Sequence, residues 1–189
     1  MKPILFNTDM VRSILEGSKT VTRRVVKPQP EKKPIPIPDE KYWLGCFDGD
    51  DVCRLINPPC SPGDILYVRE TWAPSTGGIV YKASLPYEMP KWCPSIHMPR
   101  EAARIFLRVT DVRVERVHDI TEEQAQAEGV KGWMVATDRD WDKNPNYILA
   151  FRHAWNSTIK TADHALYGWD ANPWCWVIEF ERCERPKGD

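Results

Sequence analysis

The stretch "ARIFLRVTDVRVERV", residues 103–117, alternates apolar and polar side chains as a half-buried strand does, but the alternation changes phase midway. Ile105, Leu107 and Val109 share one parity, whereas Val112 and Val114 share the other. In a strand of period two, such a slip would send the second apolar set to the opposite face. It therefore predicts a β-bulge or bend between Val109 and Val112, the device by which small sheets turn corners and curl.

Other strands surround it. In "PWCWVIEFERC", residues 173–183, Trp174, Trp176, Ile178 and Phe180 face one way. "PGDILYVRETW" reads as a turn at Pro62-Gly63-Asp64 and a strand from Ile65 to Thr71. A β-branched run from Thr20 to Val26 gives a third strand, and "GIVYKAS" from Gly78 a short fourth. Three helices flank these. Met10, Val11, Ile14 and Leu15 form a stripe, with Thr8 as the expected cap and Gly17 as the stop. "DITEEQAQAEG" carries a capping box from Thr121 to Gln124 and stops at Gly129. A third helix is expected from Pro145 to about Trp155, capped by Asn144, with Tyr147, Ile148, Phe151 and Trp155 inward.

No strand–helix–strand rhythm of a parallel sheet appears. The expectation is an α+β fold, one domain over residues 1–189. At its centre stands a small, partly closed, mostly antiparallel β-barrel of five to six strands with about three peripheral helices. The proline-rich excursion at about 27–40 is expected to carry no regular secondary structure over Pro28–Glu40, because proline cannot donate ladder bonds.

A formal net charge of -1 excludes a global field that would hold nucleic acid, yet residues 1–37 hold eight Lys or Arg against three acids. No run approaches the ~18 apolar residues of a spanning helix, and the N-terminus lacks the pattern of a signal peptide, so a cytoplasmic chain with no membrane contact is expected. Six cysteines then read as free thiols. Cys46, Cys53 and Cys60, with Cys93 or His97, form a zinc alternative, but their six-residue gaps are unlike structural zinc knuckles, so no metal and no cofactor is expected.

The chemistry concentrates in "EGSKTVTRRVV", residues 16–26. It is not a Walker loop, since Ser18 separates Gly17 from Lys19 and the order is helix then strand. A desolvated lysine can take the proton of a nearby hydroxyl, which makes Lys19 with Thr20 or Thr22 a candidate nucleophile pair. A regular strand would place residues 19 and 22 on opposite faces, unless Lys19 belongs to the preceding turn. The alternatives are a polar strand face or phosphate contact by Lys19, Arg23 and Arg24. Glu70, beside Arg69, is either a further site carboxylate or an ion-pair partner of Arg23 or Arg24. Trp72 and Trp92 are possible stacking platforms for a base, and His97 and Arg100 sit in a turn that can reach phosphate.

Four segments carry a resemblance to a known family: residues 4–26 with the G-x-K-T-x-T-R signature, 62–72 with the P-G-D turn, 94–129, and 172–180. Together they resemble the ASCH domain family, in particular its phage and prophage-borne members. The resemblance implies a PUA-like β-barrel whose pocket binds a modified nucleoside, a nucleotide or RNA. Small members include amidohydrolases that remove the acetyl group of N4-acetylcytidine, using a Lys and a Thr of the signature and a Glu on a later helix. By motif these fall on Lys19, Thr22 and Glu128, with Glu123 as the fallback carboxylate. Glu128 closes its helix, where the negative end of the dipole suits a proton donor. The chain departs from the compact amidohydrolases by an insertion between its first two strands. A non-catalytic RNA-binding module, a ribonuclease and a phage assembly protein with an idle pocket remain as alternatives. The sequence leaves the oligomeric state open.

Overall fold

The computed structural model of the protein describes residues 1–47, 52–87, 89, 91–131 and 146–186. In chain order the first elements are β1 (Lys2–Leu5), α1 (Thr8–Glu16), β2 (Val21–Val25), β3 (Ile35–Pro36), β4 (Trp43–Phe47) and β5 (Val52–Ile56). β6 (Ile65–Arg69), β7 (Trp72–Ser75), β8 (Gly78–Tyr81) and β9 (Phe106–Arg116) follow. α2 (Glu122–Ala127), α3 (Tyr147–Thr158), α4 (His164–Tyr167) and β10 (Trp174–Cys183) complete the set. The class is α+β.

Five strands form the main sheet in the order β1-β6-β9-β10-β2. Its pairs are antiparallel except β1 with β6. The phase change in residues 103–117 is a bulge: Glu179 pairs with Asp111 and Phe180 with Val109, which leaves Thr110 without a partner. The extra residue lets Leu107, Val109, Val112 and Val114 all enter one core with Ile14, Leu66, Trp176 and Ile178. Without it the two halves of β9 would bury opposite faces.

β10 is covered on both sides. Trp176, Ile178 and Phe180 enter that main core, while Cys175 and Val177 pack in a second cluster with Val117, Ile120, Phe151 and Trp155 beneath α2 and α3. The two sheet edges, β1 and β2, approach each other, and the Arg24 guanidinium crosses between them to donate to Leu5 O at 3.0 Å. A partly closed barrel is the expectation; no backbone pairing joins these edges among the described residues, so the sheet forms no closed barrel, and the seam is spanned by a side chain rather than by a ladder.

Several boundaries differ from expectation. Asn7, not Thr8, caps α1 by accepting from Met10 N at 2.9 Å, which makes Thr8 the first helical residue. Asn144 and Pro145 lie outside the described residues; the described cap of α3 is Asn146, which accepts from Leu149 N. The strand expected to run to Thr71 ends at Arg69, and the chain re-enters a two-stranded ribbon at Trp72. The proline excursion is not wholly irregular, since Ile35–Pro36 pairs with β4. Proline is tolerated there because β3 is an edge strand two residues long. The three-stranded sheet β3-β4-β5 docks on the main core through Phe47 and Ile56, with Trp43 edge-on to Trp176 at 5.2 Å between ring centroids. No helix among the described residues is long and apolar enough to cross a membrane.

Candidate functional site

α1 ends at Gly17, whose φ of +81° belongs to the left-handed region, and the chain turns directly into the edge strand β2. Because β2 begins only at Val21, Lys19 is released from strand alternation. It forms an isolated antiparallel bridge with Glu128 at the end of α2. Its side chain doubles back, so Nζ donates to Val21 O at 2.8 Å, Glu128 O at 2.7 Å and Glu128 Oε2 at 2.8 Å. Three acceptors use all three N–H groups of an ammonium.

Glu128 is brought there by the capping box that starts α2, with Thr121 Oγ1 accepting from Gln124 N, and by the left-handed Gly129 that ends it. Its second oxygen faces Arg23 Nη1 at 3.4 Å. Two cations therefore flank the carboxylate and oppose the adverse field of the helix end. Arg23 is wholly enclosed. Its Nη2 donates to Gln124 Oε1 at 2.8 Å and to Glu115 Oε2 at 3.1 Å, and its Nε has no acceptor among the described residues. Arg24 donates from Nη1 to Thr22 Oγ1 at 2.9 Å and to Arg23 O at 3.1 Å. Phe6 lies under both Lys19 Nζ and Arg24, 5.4 and 5.2 Å from its centroid.

Lys19, Thr22, Arg23, Arg24 and Glu128 line one cavity of about 150 Å³ together with Phe6, Met10, Phe151 and Trp155. Lys19, Thr22 and Glu128 are 3%, 1% and 4% exposed, so none of them is a solvated surface group. Burial pushes the Lys19 amine below the ordinary lysine value; Glu128 opposes this, and Arg24 and Arg23 reinforce it. Three cations and one carboxylate, on a wall that also carries Asn7, Thr22 and Thr158 among apolar side chains, suit an electron-rich polar group of a ligand. Lys19 and Thr22 are not hydrogen-bonded to each other in this arrangement, because the hydroxyl is held by Arg24.

The other sequence candidates separate from this cavity. Glu70 pairs with Arg104, not with Arg23 or Arg24, through bonds of 2.9 Å from Nε to Oε1 and from Nη2 to Oε2. Glu70 follows the end of β6, and its side chain meets Arg104 in the segment preceding β9. Trp72 pairs with Cys93 and Tyr81 and packs in a third cluster with Met98, Ala102 and Phe106. Trp92 lies beside Lys82, 5.8 Å from Nζ to its centroid. His97 and Arg100 occupy short 3-10 turns in that same region, and neither lines the Lys19 cavity. Thr20 is exposed, and its backbone bonds to Ala127 O and Phe180 N. Glu123 is exposed on α2 and does not line the cavity, which leaves Glu128 as the site carboxylate. The phosphate role expected of Arg23 conflicts with its burial against Glu115, Gln124 and Glu128.

Cys46 and Cys53 face each other across β4 and β5 with sulfurs 3.4 Å apart, whereas Cys60 is buried in the main core. Among the described residues no three His, Cys, Asp or Glu side chains are grouped as metal ligands would be.

Gln124 and Glu115 belong to the site but were not singled out from sequence. Gln124 carried a signal as the capping-box residue, and the same Oε1 accepts from Thr121 N and from Arg23. Glu115 had none beyond its place in β9. No protein-family model, curated protein or solved structure matches this chain.

Proposed function

We propose that this chain is an ASCH-type amidohydrolase that cleaves an acyl amide on the base of a modified nucleoside, with an N4-acylated cytidine as the substrate class, and that its curled, side-chain-bridged sheet is an open variant of the PUA-like barrel. The observation that carries the chemistry is the meeting of the buried side chains of Lys19, Thr22 and Glu128 on one cavity, with Lys19 Nζ 2.8 Å from the Glu128 carboxylate.

The steps follow from those contacts. Proton transfer along the Lys19–Glu128 hydrogen bond converts the ion pair into a carboxylic acid and a neutral amine, the form that burial of Lys19 favours. The amine exchanges its bond to Val21 O for one to Thr22 Oγ1 and takes the hydroxyl proton as the oxygen attacks the acyl carbon. Arg23 Nε, a buried donor on the cavity wall without an acceptor among the described residues, is suited to the developing oxyanion. The carbon–nitrogen bond breaks as Glu128 gives its proton to the departing base nitrogen, and the acyl group remains as a Thr22 ester. Water attacks that ester and passes a proton to Glu128, while Lys19 returns one to the Thr22 oxygen. Amide and water become amine and acid, and the neutral pair is restored.

The test assays wild type, Thr22→Val and Lys19→Met on N4-acetylcytidine and on a short RNA, with circular dichroism to confirm folding. Turnover that Thr22→Val abolishes in a folded protein, and that salt hardly changes, is the expected result. No turnover by wild type, with salt-sensitive RNA binding lost in Lys19→Met, would replace the enzyme by an RNA-binding module.

A further inference from the structure

A second, larger cleft of about 670 Å³ adjoins the first cavity along the open seam of the sheet. The two share Leu5, Arg23, Arg24, Trp155 and Thr158, and the Arg24 guanidinium spans the seam beside both, bonded to Thr22 on one hand and Leu5 O on the other. The cleft floor is apolar, made by Ile4, Leu66, Trp176 and Ile178, all buried. Its charged lining is wholly cationic: Arg23, Arg24 and Lys27, with no carboxylate among the described residues. Lys27 is exposed, and its Nζ lies 4.4 Å from the centroid of the Tyr167 ring.

Four of the lining residues, Lys27, Asn57, Pro59 and Cys60, come from the segment between β2 and β6. Along β2 the backbone travels about 10 Å from Thr22 to Val25 at ~3.3 Å per residue, and Lys27 stands beyond. A base whose acyl amide reaches Thr22 would leave its sugar over the apolar floor and a group attached to that sugar near Lys27.

We propose that this cleft binds the phosphorylated ribose of a cytidine nucleotide, with Lys27 and Arg24 as its cationic contacts, so that the substrate is a nucleotide or a strand terminus rather than a free nucleoside. This rests on the amidohydrolase reading for the identity of the base. The phosphate subsite itself is tested without turnover. Calorimetric titration of the full chain with cytidine and with cytidine 5′-monophosphate should show the nucleotide binding about tenfold more tightly, as a charge-assisted contact provides. Lys27→Ala, an exposed position whose loss leaves the core intact, should remove most of that difference without changing cytidine affinity. Added salt should weaken only the nucleotide.

A short cytidine-ended RNA separates the two sources of the phosphate: tighter binding than the mononucleotide assigns a strand, equal binding a free nucleotide, and both require Lys27. Equal affinity for cytidine and its monophosphate, or a preference untouched by Lys27→Ala, overturns the proposal. Should N4-acetylcytidine resist hydrolysis while the Lys27-dependent preference holds, the chemistry fails and the subsite stands. Hydrolysis without phosphate preference removes the subsite and leaves the chemistry in place.

Discussion

Gly129 is where the fold and the site depend on the same atom. It ends α2 at φ +76°, and a Cβ placed on it would lie 2.6 Å from Ser13 Cβ, 2.8 Å from Lys19 Cβ and 3.1 Å from Ser13 Oγ. Gly129→Ala therefore carries two costs. An L side chain in the left-handed region costs ~1–2 kcal/mol, and forcing a methyl into a filled space costs ~1–3 kcal/mol. Together they give about 2–5 kcal/mol, or a fall in Tm of about 4–20 °C for a chain of this length. Gly63 supplies the control, since it has φ +87° but nothing within 4 Å of a Cβ. Gly63→Ala should cost only the conformational part, about 1–2 kcal/mol. Thermal unfolding followed by circular dichroism, with urea melts for free energies, measures both. The crowding at Gly129 must also displace Ser13, which donates to Gly129 O at 2.8 Å, or Lys19 itself. Any activity should accordingly fall more in Gly129→Ala than in Gly63→Ala. Equal losses of stability in the two variants would refute the close approach of α1, Lys19 and the α2 terminus on which the site rests.

Two further outcomes follow from burial. Because burial holds Lys19 below its ordinary 10.5, the unfolded chain binds more protons than the native chain from the lowered value up to 10.5, so this residue makes stability rise with pH across that window. Denaturant melts of wild type and Lys19→Met at intervals toward pH 10.5 should show wild type gaining relative to the variant; a relative loss would reverse the sign assigned to the site. Burial also pushes the Cys60 thiol up to about 11 and Cys175 up to about 12, and only a thiolate reacts readily. Iodoacetamide at pH 8 with mass-spectrometric mapping should thus label exposed Cys53 well before either of them, and comparable labelling of Cys175 in native protein would contradict its packing under α3.

The bulge in β9 was legible because a phase change in a period-two pattern is a property of the backbone, whatever packs on it. The ends of α1 and α2 were legible for a related reason, since Gly17 and Gly129 both take the left-handed conformation that stops a helix. β1 was not read, because four residues at one sheet edge carry too little pattern, and its parallel pairing with β6 depends on the whole sheet. β4 and β5 escaped as well. Gly45 interrupts the first, three residues of the second are exposed, and both are fixed by the docking of Phe47 and Ile56 rather than by their own alternation. Ion-pair partners were the least legible: Glu70 chose Arg104, 34 residues on, and no local rule distinguishes that arginine from Arg23 or Arg24.

The run Thr22-Arg23-Arg24 shows how a motif can mark a site that the alternation of a central strand forbids. On β2 the odd positions face the helical layer, as Val21 does in the cluster with Phe151 and Val177, and the even line faces the main core, as Val26 does beside Trp176. In a central strand these two sets would never share a ligand. But β2 is an edge, and the cavity lies at the open seam where the sheet fails to pair with β1. Arg23 reaches it from the helical side, held by Gln124 of α2, and Thr22 and Arg24 reach it from the core side. Lys19 enters from the turn before the strand starts. An unclosed seam is thus the condition for consecutive residues to converge, and closing the sheet by a β1–β2 ladder would divide the site between two faces.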